Sequence, residues 1–202
     1  GTVNPNPDLT PEKSNTWELG ARYSAFGLNL DLTGFYTVAE DYISSQQTGN
    51  NIFYYKNVSQ AKTHGVEFSG SYDLPYGFTP YIDLTWMKRQ FDNGNYKTWK
   101  TGTPEWTGRT GVRALYPVNE SLDVIGDAYV RFATKNEQES GSARTVYSNS
   151  SWTTANAMMG VKFGDSKQYA IVGEVLNIFN QKYALGTGES IYEPGVHANI
   201  KV

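Results

Sequence analysis

The sequence predicts an all-β protein, an antiparallel up-and-down transmembrane β-barrel segment of about nine strands. Three observations support this prediction: nine stretches with alternating apolar and polar residues, connections that are alternately short and long, and aromatic residues near the strand ends. A period of two places the apolar side chains of a strand on one face and its polar side chains on the other.

The alternating stretches are Ser14–Ser24, Leu28–Ser45, Asn57–Asp73, Phe78–Lys88, Pro104–Tyr116, Ser121–Ala133, Trp152–Phe163, Tyr169–Phe179 and a last one ending at Val202. Their apolar faces are formed, in chain order, by Trp17, Leu19, Ala21 and Tyr23; Leu28, Leu30, Leu32, Tyr36 and Val38; Val66, Phe68, Gly70 and Tyr72; Ile82, Leu84 and Trp86; Trp106, Val112, Ala114 and Tyr116; Leu122, Val124, Ala128, Val130 and Phe132; Ala155, Ala157, Met159, Val161 and Phe163; Tyr169, Ile171 and Val175; and Val196, Ala198, Ile200 and Val202. None of these faces carries a charge, whereas the opposite faces do, which predicts a strand with two different environments in every case.

The connections indicate which environment the apolar faces meet. Short connections are predicted at Ala25–Gly27, Leu74–Gly77, Pro117–Glu120 and Gly164–Gln168. Long connections are predicted at Gln46–Lys56, Arg89–Thr103, Thr134–Ser151 and Asn180–Glu193. Strict alternation of short and long connections is typical of outer-membrane barrels, which have short periplasmic turns and long extracellular loops. A soluble sandwich has no reason to follow this rule.

Aromatic residues mark both ends of the predicted strands. Beside the short turns lie Tyr23, Tyr72, Phe78, Tyr116, Phe163 and Tyr169, and near the long loops lie Tyr36, Trp86, Trp106 and Phe132. Two such girdles are typical of a barrel with two membrane interfaces.

Composition excludes several other classes. The net charge is −3 and no run of Lys or Arg occurs, which argues against a nucleic-acid surface. The absence of cysteine excludes disulfides and thiolate chemistry. The longest charge-free stretch, Thr145–Val161, is rich in Ser, Thr and Asn and is too polar for a transmembrane helix. No signal peptide opens the chain, so we expect an export signal to precede Gly1 in the parent protein.

Charge predicts the register of the hairpin around Pro117–Asn119. Placing Arg109 opposite Asp127 also places Glu105 opposite Arg131 and Arg113 opposite Asp123. All three pairs are oppositely charged and share the polar face, and directly opposed residues interact most strongly in an antiparallel pair.

Three segments resemble one known family, the TonB-dependent outer-membrane receptors. Asn6-Pro7-Asp8-Leu9-Thr10-Pro11-Glu12, followed by Trp17-Glu18-Leu19-Gly20, is similar to the family's NPDLKPE…ELG segment. The other two are Ala61–Glu67, which resembles an A…GVE strand, and Val175–Tyr183 with Pro194-Gly195, which resembles the NLF…Y…PGR ending. Val196 departs from the family pattern, in which Arg follows the Pro-Gly pair.

The resemblance implies that residues 1–202 are the carboxy-terminal portion of a 22-stranded barrel whose lumen is filled by an amino-terminal plug domain. The plug and earlier strands would precede this chain, and so would the motif that contacts the TonB complex. The missing terminal aromatic residue leads us to expect that the chain is also truncated at its carboxyl end. The implied function is active transport of a ferric siderophore or similar scarce nutrient across the outer membrane of a Gram-negative bacterium. The implied partners are outer-membrane lipid, the plug domain, the TonB complex and the transported small ligand.

The predicted ligand contacts lie in the long loops. The candidates are Tyr54, Tyr55, Tyr96, Trp99, Arg144, Tyr147 and Tyr192. The aromatic rings could stack on an aryl ligand, and Arg144 could bind an anionic one. The alternative is that these rings belong to the upper girdle or pack loop on loop. His64 and His197 stand without a second ligand at metal spacing, so no metal site or cofactor is predicted. No catalytic motif occurs, and we expect no enzymatic activity.

Three other functions stay open at this stage. A haem receptor of the same family is one, because Asn6-Pro7-Asp8-Leu9 is close to the haem receptors' Asn-Pro-Asn-Leu. A structural or adhesive outer-membrane barrel without transport is the second. The third is a soluble carbohydrate-binding β domain, which would share the alternating pattern.

Overall fold

The computed structural model describes residues 2–49, 52–92, 96–140, 143–186 and 191–202. The strands are β1 (Thr2–Asn4), β2 (Lys13–Ala25), β3 (Leu28–Gly49), β4 (Ile52–Tyr72), β5 (Phe78–Asp92), β6 (Lys97–Thr98), β7 (Trp106–Asn119), β8 (Leu122–Ala133), β9 (Asn136–Ser140), β10 (Thr145–Asn149), β11 (Trp152–Phe163), β12 (Tyr169–Leu176) and β13 (His197–Lys201). Among the described residues, a 3₁₀ turn occurs at Pro75–Gly77. In these described ranges, no helix has the length and apolar character needed to cross a membrane.

Nine strands form one antiparallel meander in the order β2-β3-β4-β5-β7-β8-β11-β12-β13. Each is one of the nine predicted segments, so the predicted all-β, up-and-down architecture is confirmed. The short strands are additions to this sheet: β1 runs parallel to β4, β6 pairs with β5, and β9 and β10 form a separate hairpin. The sheet is part of a barrel wall.

The long connections contain more strand than the alternation predicts. Gln46–Lys56 was predicted to be a loop, but β3 continues to Gly49 and β4 begins at Ile52. The alternation in the sequence is interrupted here because the pairing shifts register between Ala39 and Tyr42, where Asp41 has a φ of 58°. Such a bulge exchanges the faces of the following side chains, so the alternation no longer continues in phase.

The predicted register of the β7–β8 hairpin is wrong. Arg109 lies opposite Arg131, and Arg113 lies opposite Asp127, an offset of four residues from the predicted pairing. The strands continue through Pro117 to a two-residue turn at Glu120–Ser121, with a bulge between Pro117 and Asn119. Turn length fixes the register of a hairpin, and it outweighs charge pairs that contribute only about 0.2–1 kcal/mol each.

The two faces of the sheet have an inverted pattern of burial. On the apolar face, Leu19 is 84% and Met159 is 70% exposed. On the polar face, Asp123, Asp127 and Asn156 are all buried. Soluble proteins bury their large apolar side chains and expose their carboxylates. In β8 and β11 the polar face is therefore the protected one, which argues against a soluble β domain.

The turn-end aromatic residues are exposed as predicted. All six of Tyr23, Tyr72, Phe78, Tyr116, Phe163 and Tyr169 are more than a third exposed. At the loop end Tyr36 and Trp106 are also exposed, whereas Trp86 and Phe132 are half-buried.

Candidate ligand-binding site

Strand register aligns residues of four strands in rows on the inner face. One row runs Tyr81–Gly111–Tyr129–Asn156 across β5, β7, β8 and β11. A Cβ at Gly111 would lie 2.5 Å from the Ala128 carbonyl oxygen and 2.6 Å from Cβ of Tyr129. Glycine is therefore required here, because only a missing side chain leaves room for the neighbouring tyrosine.

Arginines flank this row, one on each side. The Tyr81 hydroxyl and the Arg109 guanidinium both donate to the carboxylate of Asp127, at 3.0 and 2.5 Å. Arg109 lies 3.8 Å from the ring centre of Tyr129, and Arg113 lies 4.1 Å from that of Tyr81. Each charged group thus contacts an opposite charge or an aromatic face. This network gives the inner wall a rigid central part.

Nearer the long loops, a second cluster consists of Arg131, Trp152 and Tyr183. The indole of Trp152 and the ring of Tyr183 are 4.5 Å apart, and the Arg131 guanidinium lies 5.8 Å from the indole centre. Burial raises the pKa of the Tyr183 hydroxyl; Arg131 lowers this pKa and Glu193 raises it, but their effects are smaller. The cluster therefore combines a cation with an aromatic surface on the protected side of the sheet.

Asn177 positions Tyr183 within this cluster. Its side chain accepts from the Gln181 amide at 2.8 Å and donates to the carbonyls of Gln181 and Pro194. Asn177 is buried and adopts a left-handed φ of 51°, a conformation that asparagine tolerates better than most residues. The Asn177–Tyr183 motif thus shapes the chain after β12 and brings Tyr183 onto Trp152.

The β9–β10 hairpin packs against the loop between β5 and β7. The Thr98 hydroxyl donates to Glu139 at 2.8 Å, and Lys100 pairs with Glu137 at 3.0 Å. Backbone hydrogen bonds link Gly102 to Glu137 and Glu139 to Lys100. Two long loops that are distant in sequence therefore form one unit.

Two of the predicted ligand contacts meet in this unit. Arg144 forms an ion pair with Glu139, and its guanidinium lies 4.8 Å from the ring centre of Tyr96. Tyr147 is exposed on β10.

The other predicted contacts are dispersed. Tyr54 and Tyr55 lie in β4, where the Tyr55 carbonyl accepts from Asn6 at 2.8 Å. Trp99 makes an edge contact with the ring of His64. His64 lies on the apolar face, where its ring also makes an edge contact with Trp86. Tyr192 lies 4.0 Å from the Lys182 ammonium. The structure therefore brings Tyr96 and Arg144 together and leaves the rest apart.

Arg131, Trp152 and Tyr183 were absent from the predicted ligand contacts. The predicted contacts were restricted to the long loops, whereas Arg131 and Trp152 belong to strands and Tyr183 ends the Val175–Tyr183 family motif. The alternating pattern could have identified two of these residues, because Arg131 and Trp152 both fall on the polar faces of their strands, near the long-loop ends of β8 and β11. Within the part of the chain that the structure describes, no three His, Cys, Asp or Glu residues are grouped as a metal site would need.

Comparison with known proteins identifies the family. The sequence model of the family described as TonB dependent receptor-like, beta-barrel matches residues 1–178. Haemoglobin-haptoglobin utilization protein B of Neisseria meningitidis is 25% identical over 88% of this chain and 26% of its own length. The chain thus spans about a quarter of that curated relative.

Solved structures show the same fold. The FrpB iron transporter of Neisseria meningitidis (F3-3 variant) has a TM-score of 0.72 at 16% identity, over 99% of this chain and 32% of its own. The ferripyoverdine receptor of the outer membrane of Pseudomonas aeruginosa has a TM-score of 0.65 at 19% identity, over 94% of this chain and 27% of its own. Members of the family are transporters and not enzymes. The family motifs and the exposed apolar face of the sheet agree with the match over residues 1–178. The chain therefore belongs to the TonB-dependent receptor-like β-barrel family.

Proposed function

We propose that residues 1–202 are the carboxy-terminal portion of the barrel of an outer-membrane receptor that imports a ferric siderophore or a related scarce nutrient. The parent protein lies in the outer membrane of a Gram-negative bacterium, contains a plug domain and draws its energy through the TonB complex. The observation that best supports this proposal is the inverted burial in β8 and β11, where Met159 is 70% exposed while Asp127 and Asn156 are buried. That distribution fits a wall between lipid and a polar lumen.

Ligand contact is proposed at the loop unit and at the adjacent inner wall. Tyr96, Trp99, Arg144 and Tyr147 lie in the loop unit, and Tyr54, Tyr55 and Tyr192 lie in other segments. In the loop unit the ring of Tyr96 already packs against the Arg144 guanidinium, and outside it the ring of Tyr192 packs against the Lys182 ammonium. A ligand therefore meets a prearranged surface rather than separate flexible side chains.

Deletion of the loops tests this function. In the full-length receptor, residues 93–103 and 135–150 would be replaced by short turns. We expect uptake of radiolabelled iron, supplied as the producing bacterium's own chelates, to be lost, while the heat-modifiable migration of the folded barrel is unchanged. Unchanged uptake with both loops removed would contradict the proposed place of ligand contact.

A haem-receptor function is the second candidate. It is favoured by the similarity to haemoglobin-haptoglobin utilization protein B, at 25% identity. Growth of the host bacterium and its receptor deletion strain on haemoglobin or on ferric siderophores as sole iron source separates the two functions. A deletion strain that fails to grow only on haemoglobin identifies haem as the cargo. A deletion strain that still grows on both iron sources favours a structural barrel.

A further inference from the structure

Two of the four short turns of the meander present an aromatic side chain at their tip. Phe26 lies in the two-residue turn between β2 and β3, and Tyr76 lies in the turn between β4 and β5. Phe26 is 93% and Tyr76 is 87% exposed, so both rings pack against almost nothing in this chain. Unlike the aromatic residues of the turn-end girdle, they lie outside the strands.

Both aromatic residues have a backbone conformation that a short polar residue adopts at lower cost. Phe26 has a φ of 54° and Tyr76 a φ of 64°, and each is followed by a glycine with a φ of 79° or 77°. Turns with positive φ at two successive positions favour Asn-Gly and Asp-Gly, because bulky side chains clash in the left-handed region. Strain of this kind persists where a residue has a function. It therefore points to a contact outside this chain.

The two turns lie side by side at one end of the outward apolar face. The Asp73 amide donates to the Gly27 carbonyl at 2.8 Å, which joins them. Phe26 follows the girdle residue Tyr23 by three positions, which adds about 7 Å along the membrane normal at a rise of about 3.3 Å per residue and a tilt of about 45°. The headgroup layer is about 5–8 Å thick on each side of the hydrocarbon core. With the girdle at the boundary of that core, the tips reach the headgroup layer and end there.

The other two short turns have a different chemical character. The β7–β8 turn contains Glu120, and the β11–β12 turn contains Asp165 and Lys167. Charged side chains lose hydration when they leave water, so these turns suit an aqueous surrounding. The β2–β3 turn contains no charged residue, and the β4–β5 turn is preceded only by Asp73, which accepts from the Thr79 hydroxyl at 3.0 Å. The two halves of the sheet therefore differ at this end.

We propose that Phe26 and Tyr76 anchor the β2–β5 half of the wall in the phospholipid headgroup layer on the short-turn side of the membrane, while the turns of the β7–β12 half stand in water. Aromatic rings are stabilised at the membrane–water interface, which offsets the cost of the left-handed backbone. The wall thus lies at uneven depth in the bilayer. This inference rests on the membrane location within the proposed function and is independent of the transported ligand.

The first experiment measures the depth of each turn with the full-length receptor in phospholipid vesicles that contain no other protein. Nitroxide labels are attached to single cysteines that replace Phe26, Tyr76, Glu120 or Ser166; this chain contributes no other cysteine. We expect collisions with a water-soluble nickel chelate to be severalfold less frequent at the Phe26 and Tyr76 positions than at the other two. Equal collision rates at all of these positions overturn the inference.

The second experiment removes the two rings from the full-length receptor. Asparagine tolerates the left-handed region, so Phe26→Asn combined with Tyr76→Asn keeps the turn geometry and removes the aromatic contacts. A nitroxide label at Leu30, on the outward face of β3, reports the depth of the wall. We expect the nickel chelate to reach this label severalfold more often in the double variant, because the β2–β5 half moves toward water.

A matched control variant carries Ser121→Asn and Ser166→Asn in the other two short turns. We expect it to leave access to the Leu30 label unchanged. Heat-modifiable migration checks that both double variants are folded. Unchanged access at Leu30 after loss of Phe26 and Tyr76 overturns the anchoring role.

The outcomes separate this inference from the proposed function. Free access of the nickel chelate to a label at Leu32, further along the outward face of β3, refutes the membrane location itself. Protection at Leu32 with free access at the Phe26 and Tyr76 positions leaves the location standing and refutes the anchoring. Protection of these two positions in whole cells but not in vesicles indicates a protein partner and also overturns the inference.

Discussion

Single residues explain why the family motifs have the sequences they do. Asn6 uses its side chain twice, donating to the Tyr55 carbonyl and accepting from the Asp8 amide. Further along the same motif, Thr10 exchanges two hydrogen bonds with the side chain of Asn57, and Glu12 accepts from the Ile43 amide. The Asn-Pro-Asp-Leu-Thr-Pro-Glu segment thus attaches the amino-terminal strand to β3 and β4. Its role in this chain is to organise structure at the loop end.

At the same scale, Gly77 permits a prediction about assembly. Its φ is 77°, and a Cβ there would lie 1.9 Å from the Leu115 carbonyl oxygen. Gly27 has a similar φ of 79°, but its nearest contact would be 3.2 Å, at the Asp73 carbonyl. We expect Gly27→Ala to destabilise the barrel by about 1–2 kcal/mol, the cost of the left-handed conformation, and Gly77→Ala to destabilise it more because the clash is added. Unfolding in urea of the refolded receptor measures both, and equal losses would contradict the steric argument.

At the scale of elements, the loop unit is held by carboxylates with shifted pKa values. Hydrogen bonds from Lys135 and Lys100 lower the pKa of Glu137, and a hydrogen bond from Arg144, then one from Thr98, lower that of Glu139. A carboxyl whose pKa is lower in the folded state stabilises that state fully above its unfolded pKa, about 4.3. This contribution is lost as the pH falls through the lowered value.

We therefore expect loop docking to be complete at neutral pH and to weaken on acidification below about 4.3. Docking is measured by the hydrogen-exchange protection of the Gly102 and Glu139 amides, corrected for intrinsic exchange. Both amides donate hydrogen bonds between the β5–β7 loop and the β9–β10 hairpin. Thr98→Val is expected to reduce this protection severalfold at pH 7. Thr101→Val serves as control, since the Thr101 hydroxyl contacts Thr103 and not the hairpin. Equal protection in the wild type and Thr98→Val would refute the docking role.

At the scale of the whole molecule, the orientation of the sheet between lipid and lumen is testable. Spin labels at Leu32, Val112 and Val124 of the full-length receptor in bilayers are expected to be relaxed by oxygen rather than by polar agents. A label at Thr33, on the opposite face of β3, provides the control. Val130→Lys, nearer the middle of β8 and opposite Thr110, should cost about 2–4 kcal/mol, whereas Val124→Lys, opposite Tyr116 of the turn-end girdle, should cost only about 0–1 kcal/mol. Preferential access of polar agents to the three outward positions would contradict the membrane orientation.

The nine strands of the meander, the apolar face of each strand and the family could all be predicted from the amino-acid sequence. These features are local or periodic, so alternation and short motifs are sufficient to recognise them. Even the loop pair of Tyr96 and Arg144 was among the predicted residues, although their contact was not foreseen.

The β7–β8 register, the loop docking and the cluster around Arg131 depend on tertiary contacts and could not be predicted from the sequence. The β7–β8 register depends on the two-residue turn at Glu120–Ser121 and the bulge between Pro117 and Asn119, and charge pairs are too weak to override it. Arg131 lies opposite Arg109 because of that register, and Trp152 and Tyr183 reach it from β11 and from the chain after β12. Contacts between segments so distant in sequence leave no periodic signal, because each residue's own neighbours in the chain are compatible with many partners across the sheet.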